Sequence, residues 1–166
     1  MSAAIDGLIF GWKKNLDYGP KLVADLSDEQ MIFQPAGPDN PPANHPAWVF
    51  SHLNAYLPVI AGIIKSVEFE DPKNHRFGML SRPENDLSVY DRKQDLVDQF
   101  VAGHDEVLQL LEKSSIDMLD QPVKLLRWEE IMPIAGIALP YLMLNHENGH
   151  LGQLSTWRRV QGMPSV

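Results

Sequence analysis

Four stretches of this 166-residue chain carry apolar residues every three or four positions, the spacing of one face of an α-helix. No stretch shows the sustained alternation of apolar and polar residues, rich in β-branched side chains, that marks a half-buried strand. The pattern therefore predicts an all-α fold.

The predicted helices are separated by Pro-rich or polar connections, among them Pro35–Pro46 and residues 68–90, that are too long for tight helical hairpins. In chain order the helices cover residues 5–26 with a break at Gly19-Pro20, residues 49–67, residues 91–114, and residues 133 to a cap at Gly162. We expect one domain over residues 1–166, folded as a four-helix bundle with long crossover connections.

The expected helix ends follow from residue types that suit them. Asp91 is a plausible N-cap for the third helix, and Pro133 suits the first turn of the fourth. Arg158 and Arg159 fall in the last turn of the fourth helix, where cations suit the helix dipole. Three tryptophans are expected in the core or in a pocket wall: Trp12, Trp48 and Trp157.

Composition excludes several classes of protein. The 14 Lys and Arg against 22 Asp and Glu give a formal charge of −8, which argues against a nucleic-acid-binding module. The absence of Cys leaves His and carboxylates as the strong metal ligands. The apolar stretch at residues 131–144 is shorter than the roughly 20 residues that span a bilayer, and the N-terminus lacks a basic signal region. We therefore expect a cytoplasmic protein with no membrane or nucleic-acid partner.

The segment His146-Glu147-Asn148-Gly149-His150 matches the H-E-x-x-H pattern on a predicted helix. Two histidines four residues apart lie one turn apart on the same face, so both imidazoles can reach one metal ion. The intervening Glu147 can either activate a bound molecule by accepting its proton, or hydrogen-bond to a neighbouring histidine. The pattern predicts a metal site on the fourth helix.

A zinc peptidase is disfavoured because the rest of that signature is missing. Gln153 and Thr156 stand where the extended motif needs Gly and His, and no acidic residue follows Glu147. A third ligand must therefore come from upstream, and His52 and His104 are the histidines on apolar helix faces.

We assign His52 as the third ligand. Three imidazoles buried together without a metal would each need a hydrogen-bond partner and would repel one another if protonated, whereas one divalent cation satisfies all three. His104, alone on its helix face, is interpreted as a core residue, and His45 and His75 as loop residues with no evident role.

The chain resembles the DinB-like (YfiT-like) metal-binding four-helix bundles over essentially its whole length. The resemblance rests on His45-Pro46-Ala47-Trp48 followed by His52-Leu53, on the Phe77-Gly78 to Tyr90 segment, and on the C-terminal signature. That signature is His146-x-x-x-His150-x-Gly152-Gln153, followed by Trp157-Arg158-Arg159 and Gly162-x-Pro164. The resemblance also implies a metal bound by His52, His146 and His150.

Characterised relatives are thiol-dependent S-transferases and isomerases, and others are known only as hydrolases by inference. The resemblance thus implies a Zn or Ni site that activates a low-molecular-weight thiol, or water, for S-transfer or hydrolysis on a small molecule, with a homodimer as the assembly. The alternative is a non-catalytic metal- or ligand-binding bundle associated with stress. A thiol would have to be a separate molecule, since the chain has no Cys, and Arg158 and Arg159 are where its carboxylates would be sought.

Overall fold

The computed structural model describes residues 2–35 and 43–166. In chain order its helices are α1 (Ala3–Tyr18), α2 (Asp28–Met31), α3 (Pro46–Lys65), α4 (Lys93–Lys113), α5 (Ala135–Pro140) and α6 (Glu147–Val160). A π-helical turn, Tyr141–His146, joins α5 to α6 without a break. No strand occurs in the described ranges, where the only β-type pairing is an isolated bridge between Pro122 and Ile134. The all-α prediction is confirmed.

The four long helical runs match the four periodic stretches of the sequence. The first ends at Tyr18, and a single 3₁₀ turn, Pro20–Leu22, follows Gly19, so the predicted interruption at Gly19-Pro20 is present. Long connections occupy residues 66–92 and 114–134 and include only short 3₁₀ turns. Part of the predicted Pro35–Pro46 connection, residues 36–42, lies outside the described residues.

Two expected helix starts are wrong. Helix α4 begins at Lys93 with Arg92 at the N-cap position, and its first-turn N–H, that of Lys93, is capped by the Asp28 carboxylate of α2 at 2.8 Å. The carboxylate of Asp91 instead accepts a hydrogen bond from Gln99. The capping side chain comes from a distant part of the chain. The residue types next to the start of α4 therefore did not predict it.

Pro133 is not in the first turn of α5, which begins at Ala135. The Pro133 carbonyl accepts the N–H of Val123 at 3.0 Å, and the N–H of Ala135 donates to Gln121 at 2.9 Å. These contacts hold the chain around Pro133 extended against residues 121–123, so the helix starts two residues later.

The core consists of two apolar clusters. One joins α1, the second half of α3 and α5, with Trp12, Ile60 and Leu139 fully or almost fully buried. The other joins the segment after α1 to the first half of α3, α4 and α6, with Phe50, Phe100 and Leu154 at its centre. Burial of each large side chain contributes about 1.5–3 kcal/mol, so packing rather than any single contact holds the helices together.

Helix α3 is apolar enough, and long enough, to cross a membrane by length and composition alone. However, 83% of its most apolar stretch is buried against the other helices. Its hydropathy is thereby accounted for by its position at the centre of the bundle.

Candidate metal centre

His52, His146 and His150 lie together, as the sequence predicted. One ring nitrogen from each lies within 4.8 Å of the others, and this is the one group of three or more His, Asp or Glu side chains in the described ranges with metal-binding spacing. His52 is supplied by α3 at 2% exposure, His146 ends the π-helical turn, and His150 lies on the first turn of α6.

The separation of the ring nitrogens fits a shared metal ion. The Nε2 atoms of His52 and His146 are 3.0 Å apart. Two nitrogens bound at about 2.0–2.1 Å to a tetrahedral ion are separated by about 3.3 Å, so a small adjustment of either ring accommodates it. The donor set also suits Zn or Ni, since imidazole is a ligand that both ions accept.

Hydrogen bonds from the opposite ring nitrogens orient two of the three imidazoles. His52 Nδ1–H donates to the Phe77 carbonyl at 2.6 Å, and His150 Nδ1–H donates to Gln153 Oε1 at 3.2 Å. The Nε2 lone pairs of both rings are therefore left for a metal, the arrangement usual for metal-binding histidines. Asn44 Nδ2 donates to the same Gln153 oxygen at 3.1 Å and holds it in place.

Burial keeps the three imidazoles neutral. Together with a smaller effect from the charge of a protonated His150, burial lowers the pKa of His52 to about 4 and that of His146 to about 3. Burial also lowers the pKa of His150. Neutral imidazoles have the free lone pair that a metal ion needs, so the cluster is prepared for binding at neutral pH.

A cavity of about 530 Å³ opens over the three histidines. Its walls are mainly aromatic and aliphatic: the Trp48 ring stacks on His52 at 4.7 Å, and the Tyr56 ring lies 4.9 Å from His52 and 4.7 Å from His146. The remaining lining residues come from the connections and from α5 and its π-helical turn: Met79, Arg127, Trp128, Ile131, Met132, Ile137, Tyr141 and Leu142. This volume suits a small organic molecule.

The carboxylate of Glu147 does not line this cavity. It is 2% exposed, and its Oε1 lies 2.9 Å from Nε2 of His104, which is fully buried. A residue next to His146 points about 100° further round the helix, so Glu147 faces α4 while His146 faces the cavity. Of the two roles considered for Glu147, this contact supports the hydrogen bond to a neighbouring histidine.

His104 is a core residue, in line with its interpretation from sequence. Its Nδ1–H donates to the Phe100 carbonyl at 2.8 Å, and the Trp12 ring stacks on it at 3.9 Å. The Trp12 indole N–H donates to the His104 carbonyl at 3.1 Å, which ties α1 to α4. Burial raises the pKa of Glu147, and the contact with His104 opposes that rise.

His45, interpreted as a loop residue without a role, caps α3. Its Nδ1 accepts the Trp48 N–H at 3.1 Å, and its Nε2–H donates to the Glu84 carbonyl at 3.1 Å. The side chain is fully buried. His75, by contrast, is exposed in the connection after α3, and its Nδ1 accepts the Phe77 N–H.

Arg158 is not available to a ligand. Its guanidinium, 2% exposed, donates to both carboxylate oxygens of Asp25 and to the carbonyls of Leu22 and Pro164. It therefore joins the end of α6 to the segment after α1. The expectation that ligand carboxylates would be found there is wrong for Arg158, because four protein acceptors already surround it.

Sequence reasoning missed three contributors to the site: Tyr56, Arg127 and Gln153. Tyr56 lies four residues after His52 and eight after Trp48 on the same helix face, a spacing that could have indicated it. Gln153 stands three residues after His150 in the same way. Arg127 comes from an irregular connection, where no periodic signal exists.

Fold and site together define an all-α bundle with a three-histidine cluster, compatible with a metal site, at the base of a cavity. A family model described as the DinB superfamily matches residues 13–154, and the chain belongs to that superfamily. A search of curated proteins finds no match to the chain.

Proposed function

We propose that this protein is a metal-dependent enzyme in which His52, His146 and His150 hold a divalent ion, Zn or Ni, that activates a low-molecular-weight thiol or water. The reaction is S-transfer to, or hydrolysis of, a small molecule bound in the cavity. The observation that carries the proposal is the position of three neutral imidazoles at the base of a cavity of about 530 Å³.

The side chains around the histidines have defined tasks in this proposal. Trp48 and Tyr56 exclude water and provide aromatic surface for an apolar substrate. The Phe77 carbonyl and Gln153 fix the His52 and His150 rings, so that their Nε2 atoms point to a common position. When bound, the ion lowers the pKa of a coordinated thiol or water, so that a nucleophile exists near neutral pH.

The proton released by the nucleophile goes to solvent in this scheme. No Asp or Glu is found in the cavity lining within residues 2–35 and 43–166, and Glu147 is engaged with His104. Burial raises the pKa of the Tyr56 hydroxyl, which therefore keeps its proton and serves as a hydrogen-bond donor to substrate. Water at the open mouth of the cavity is the remaining acceptor.

The missing carboxylate also favours a second candidate function, a non-catalytic metal- or ligand-binding bundle. In that case the cavity retains a molecule without turning it over. Both candidate functions include metal binding. They differ in whether the protein turns over the bound molecule.

Metal content tests the shared step. Mass spectrometry of the purified protein should find close to one equivalent of Zn or Ni, and His52→Ala should lose most of it because one of three ligands is gone. His75→Ala is the matched control, since His75 is exposed and outside the cluster, and it should retain the metal.

Turnover then separates the two functions. Metal-loaded protein is assayed with a panel of thiols and small electrophiles, and acceleration that disappears in His52→Ala supports the enzyme. Metal at full occupancy without acceleration across the panel supports the binding protein. Wild-type protein without near-stoichiometric metal contradicts both.

A further inference from the structure

Among the described residues that line the cavity over the three histidines, Arg127 is the only Lys or Arg, and none is Asp or Glu. It belongs to a short 3₁₀ turn, Leu126–Trp128, whose Trp128 is 4% exposed and anchors the turn in the core. The guanidinium lies 4.8 Å from the centre of the Trp128 ring. The cavity therefore combines an apolar wall with one fixed cation.

Asp71 holds the Arg127 side chain in place. Its two carboxylate oxygens accept from Arg127 Nε and Nη2, each at 2.6 Å, and Asp71 itself is fixed by the Lys73 N–H at 2.8 Å. The guanidinium beside it keeps the pKa of Asp71 below its usual range. A carboxylate that accepts two hydrogen bonds from one side of a guanidinium fixes the orientation of the guanidinium.

The Asp71 carboxylate accepts hydrogen bonds from two of the five N–H groups of the guanidinium. Within the described part of the chain, Arg127 makes no further hydrogen bond, and its side chain is 28% exposed. Three donors, including both on Nη1, thus remain for an incoming acceptor. The Tyr56 hydroxyl also lines the cavity and has no hydrogen-bond partner among the described residues.

The dimensions place Arg127 and the histidines within reach of one small ligand. A volume of about 530 Å³ corresponds to a space about 10 Å across if it were spherical. A short aliphatic or aromatic segment spans such a distance. Arg158, the other arginine considered for this task, is occupied by Asp25.

We propose that Arg127, positioned by Asp71, is the anchor for a carboxylate at one end of the ligand, whose other end reaches the three histidines. The ligand class is a small apolar acid, and for a thiol co-substrate a carboxylate-bearing thiol. The thiol part of this inference rests on the proposed function, whereas the carboxylate part does not.

The first arm of the test uses cobalt-substituted protein and the absorption band of cobalt-bound thiolate. The probes are 6-mercaptohexanoate and its methyl ester, which share length and thiol and differ in the carboxylate. Wild-type protein should bind the acid about 10-fold or more tightly than the ester, as expected for hydrogen bonds to a charged group. Arg127→Met should reduce this preference to about 2-fold or less, and Arg127→Lys should restore part of it.

Lys124→Met is the matched control, because Lys124 carries the same charge three residues away, is exposed and lies outside the cavity. It should keep the preference of the wild type. If Lys124→Met and Arg127→Met lose the preference for the acid over the ester equally, that preference comes from overall charge. This result would overturn the proposal. Cobalt content is measured in each variant, so a misfolded protein is recognised.

The second arm needs no thiol. Calorimetry of zinc-loaded protein with 4-phenylbutyrate and 4-phenylbutanol should give tighter binding of the acid, and Arg127→Met should remove the difference. If neither thiol of the first arm binds the metal but this difference is found, thiol activation fails and the carboxylate site stands. The proposed carboxylate site is overturned if, in this second arm, the wild type shows no preference for the acid over the alcohol. It is also overturned if Arg127→Met leaves that preference unchanged.

Discussion

At the scale of single residues, one side-chain type does four different things in this molecule. Three histidines form one cluster with metal-binding spacing, His45 caps a helix, His104 pairs with a buried carboxylate, and His75 is exposed. Their surroundings decide between these tasks, since each buried imidazole nitrogen takes the partner that its position offers.

Gln153 is expected to contribute to metal affinity through His150. Gln153→Leu removes the acceptor for His150 Nδ1–H, so we expect metal binding about 10-fold weaker in a competition titration with a chelator. Gln94→Leu is the control, because Gln94 is an exposed residue of α4 bonded to Asp98 alone. Equal affinity of the two variants would show that the Gln153 contact does not orient the ring.

Glu147 is expected to act on stability rather than on the metal. Glu147→Gln disturbs the buried contact with His104 and should lower the free energy of unfolding by about 1–3 kcal/mol, measured by denaturant titration. The variant should still bind one equivalent of metal. Glu130→Gln, an exposed substitution, should change neither quantity. Loss of metal with unchanged stability would instead place the Glu147 carboxylate at the metal centre.

At the scale of helices, α3 and the run from α5 to α6 each present one face to the cavity. Trp48, His52 and Tyr56 are spaced by four residues along α3, and most of the remaining residues of this helix are buried. On the second run, Pro140 has no N–H to donate, and the π-helical turn follows it, with the Glu147 N–H bonded to the Leu142 carbonyl five residues earlier. The wider turn ends at His146, directly at the three-histidine cluster.

The His45 cap should make stability depend on pH. Burial lowers the pKa of folded His45 below its ordinary value of 6.5, so the unfolded chain binds the proton first. The His45 contribution is therefore complete well above the unfolded pKa of 6.5, and it is lost progressively as the pH falls below 6.5 through the lower pKa of the folded state. His45→Asn keeps a capping side chain but does not titrate.

We expect His45→Asn to be less stable than wild type at pH 7.5 by about 1 kcal/mol, because it loses the bond to Glu84. The gap should narrow towards pH 5, as followed by denaturant titration. The three cluster histidines titrate in both proteins. Their contribution to the pH dependence of stability therefore cancels when the two proteins are compared. A gap that is constant from pH 7.5 to 5 would contradict this role.

At the scale of the whole molecule, the three-histidine cluster joins parts of the chain that are far apart. His52 and His146 are separated by 94 positions and meet only when α3 and the last helical run pack together. The segment after α3 contributes the Phe77 carbonyl to His52 and Asp71 to Arg127. One connection thus supports both ends of the cavity.

Metal binding should therefore stabilise the entire fold. A metal concentration 100-fold above the dissociation constant adds about 2.7 kcal/mol. For a chain of this size that corresponds to about 5–10 °C in Tm. Calorimetric scans with metal and with a chelator should show this difference in the wild type and not in His52→Ala. A Tm that does not respond to chelation would mean that the ion does not bridge the helices.

The helical periodicity of the sequence was sufficient for the all-α fold, for the four helical runs and for the convergence of His146 and His150, because these follow from spacing along one helix. His52 could be added because the chemistry of buried imidazoles requires a shared partner. The homodimer and the cytoplasmic location stay predictions.

Only the tertiary structure decided which partner each polar group takes. Three such contacts join residues 43 to 65 positions apart in the chain. They are the cap on Lys93 from Asp28, the contact of Glu147 with His104, and the ion pair of Asp71 with Arg127. Such pairs leave no periodic trace in the sequence, since their geometry depends on how helices and connections pack. The sequence therefore determined which histidines form the cluster, and the packing determined what surrounds them.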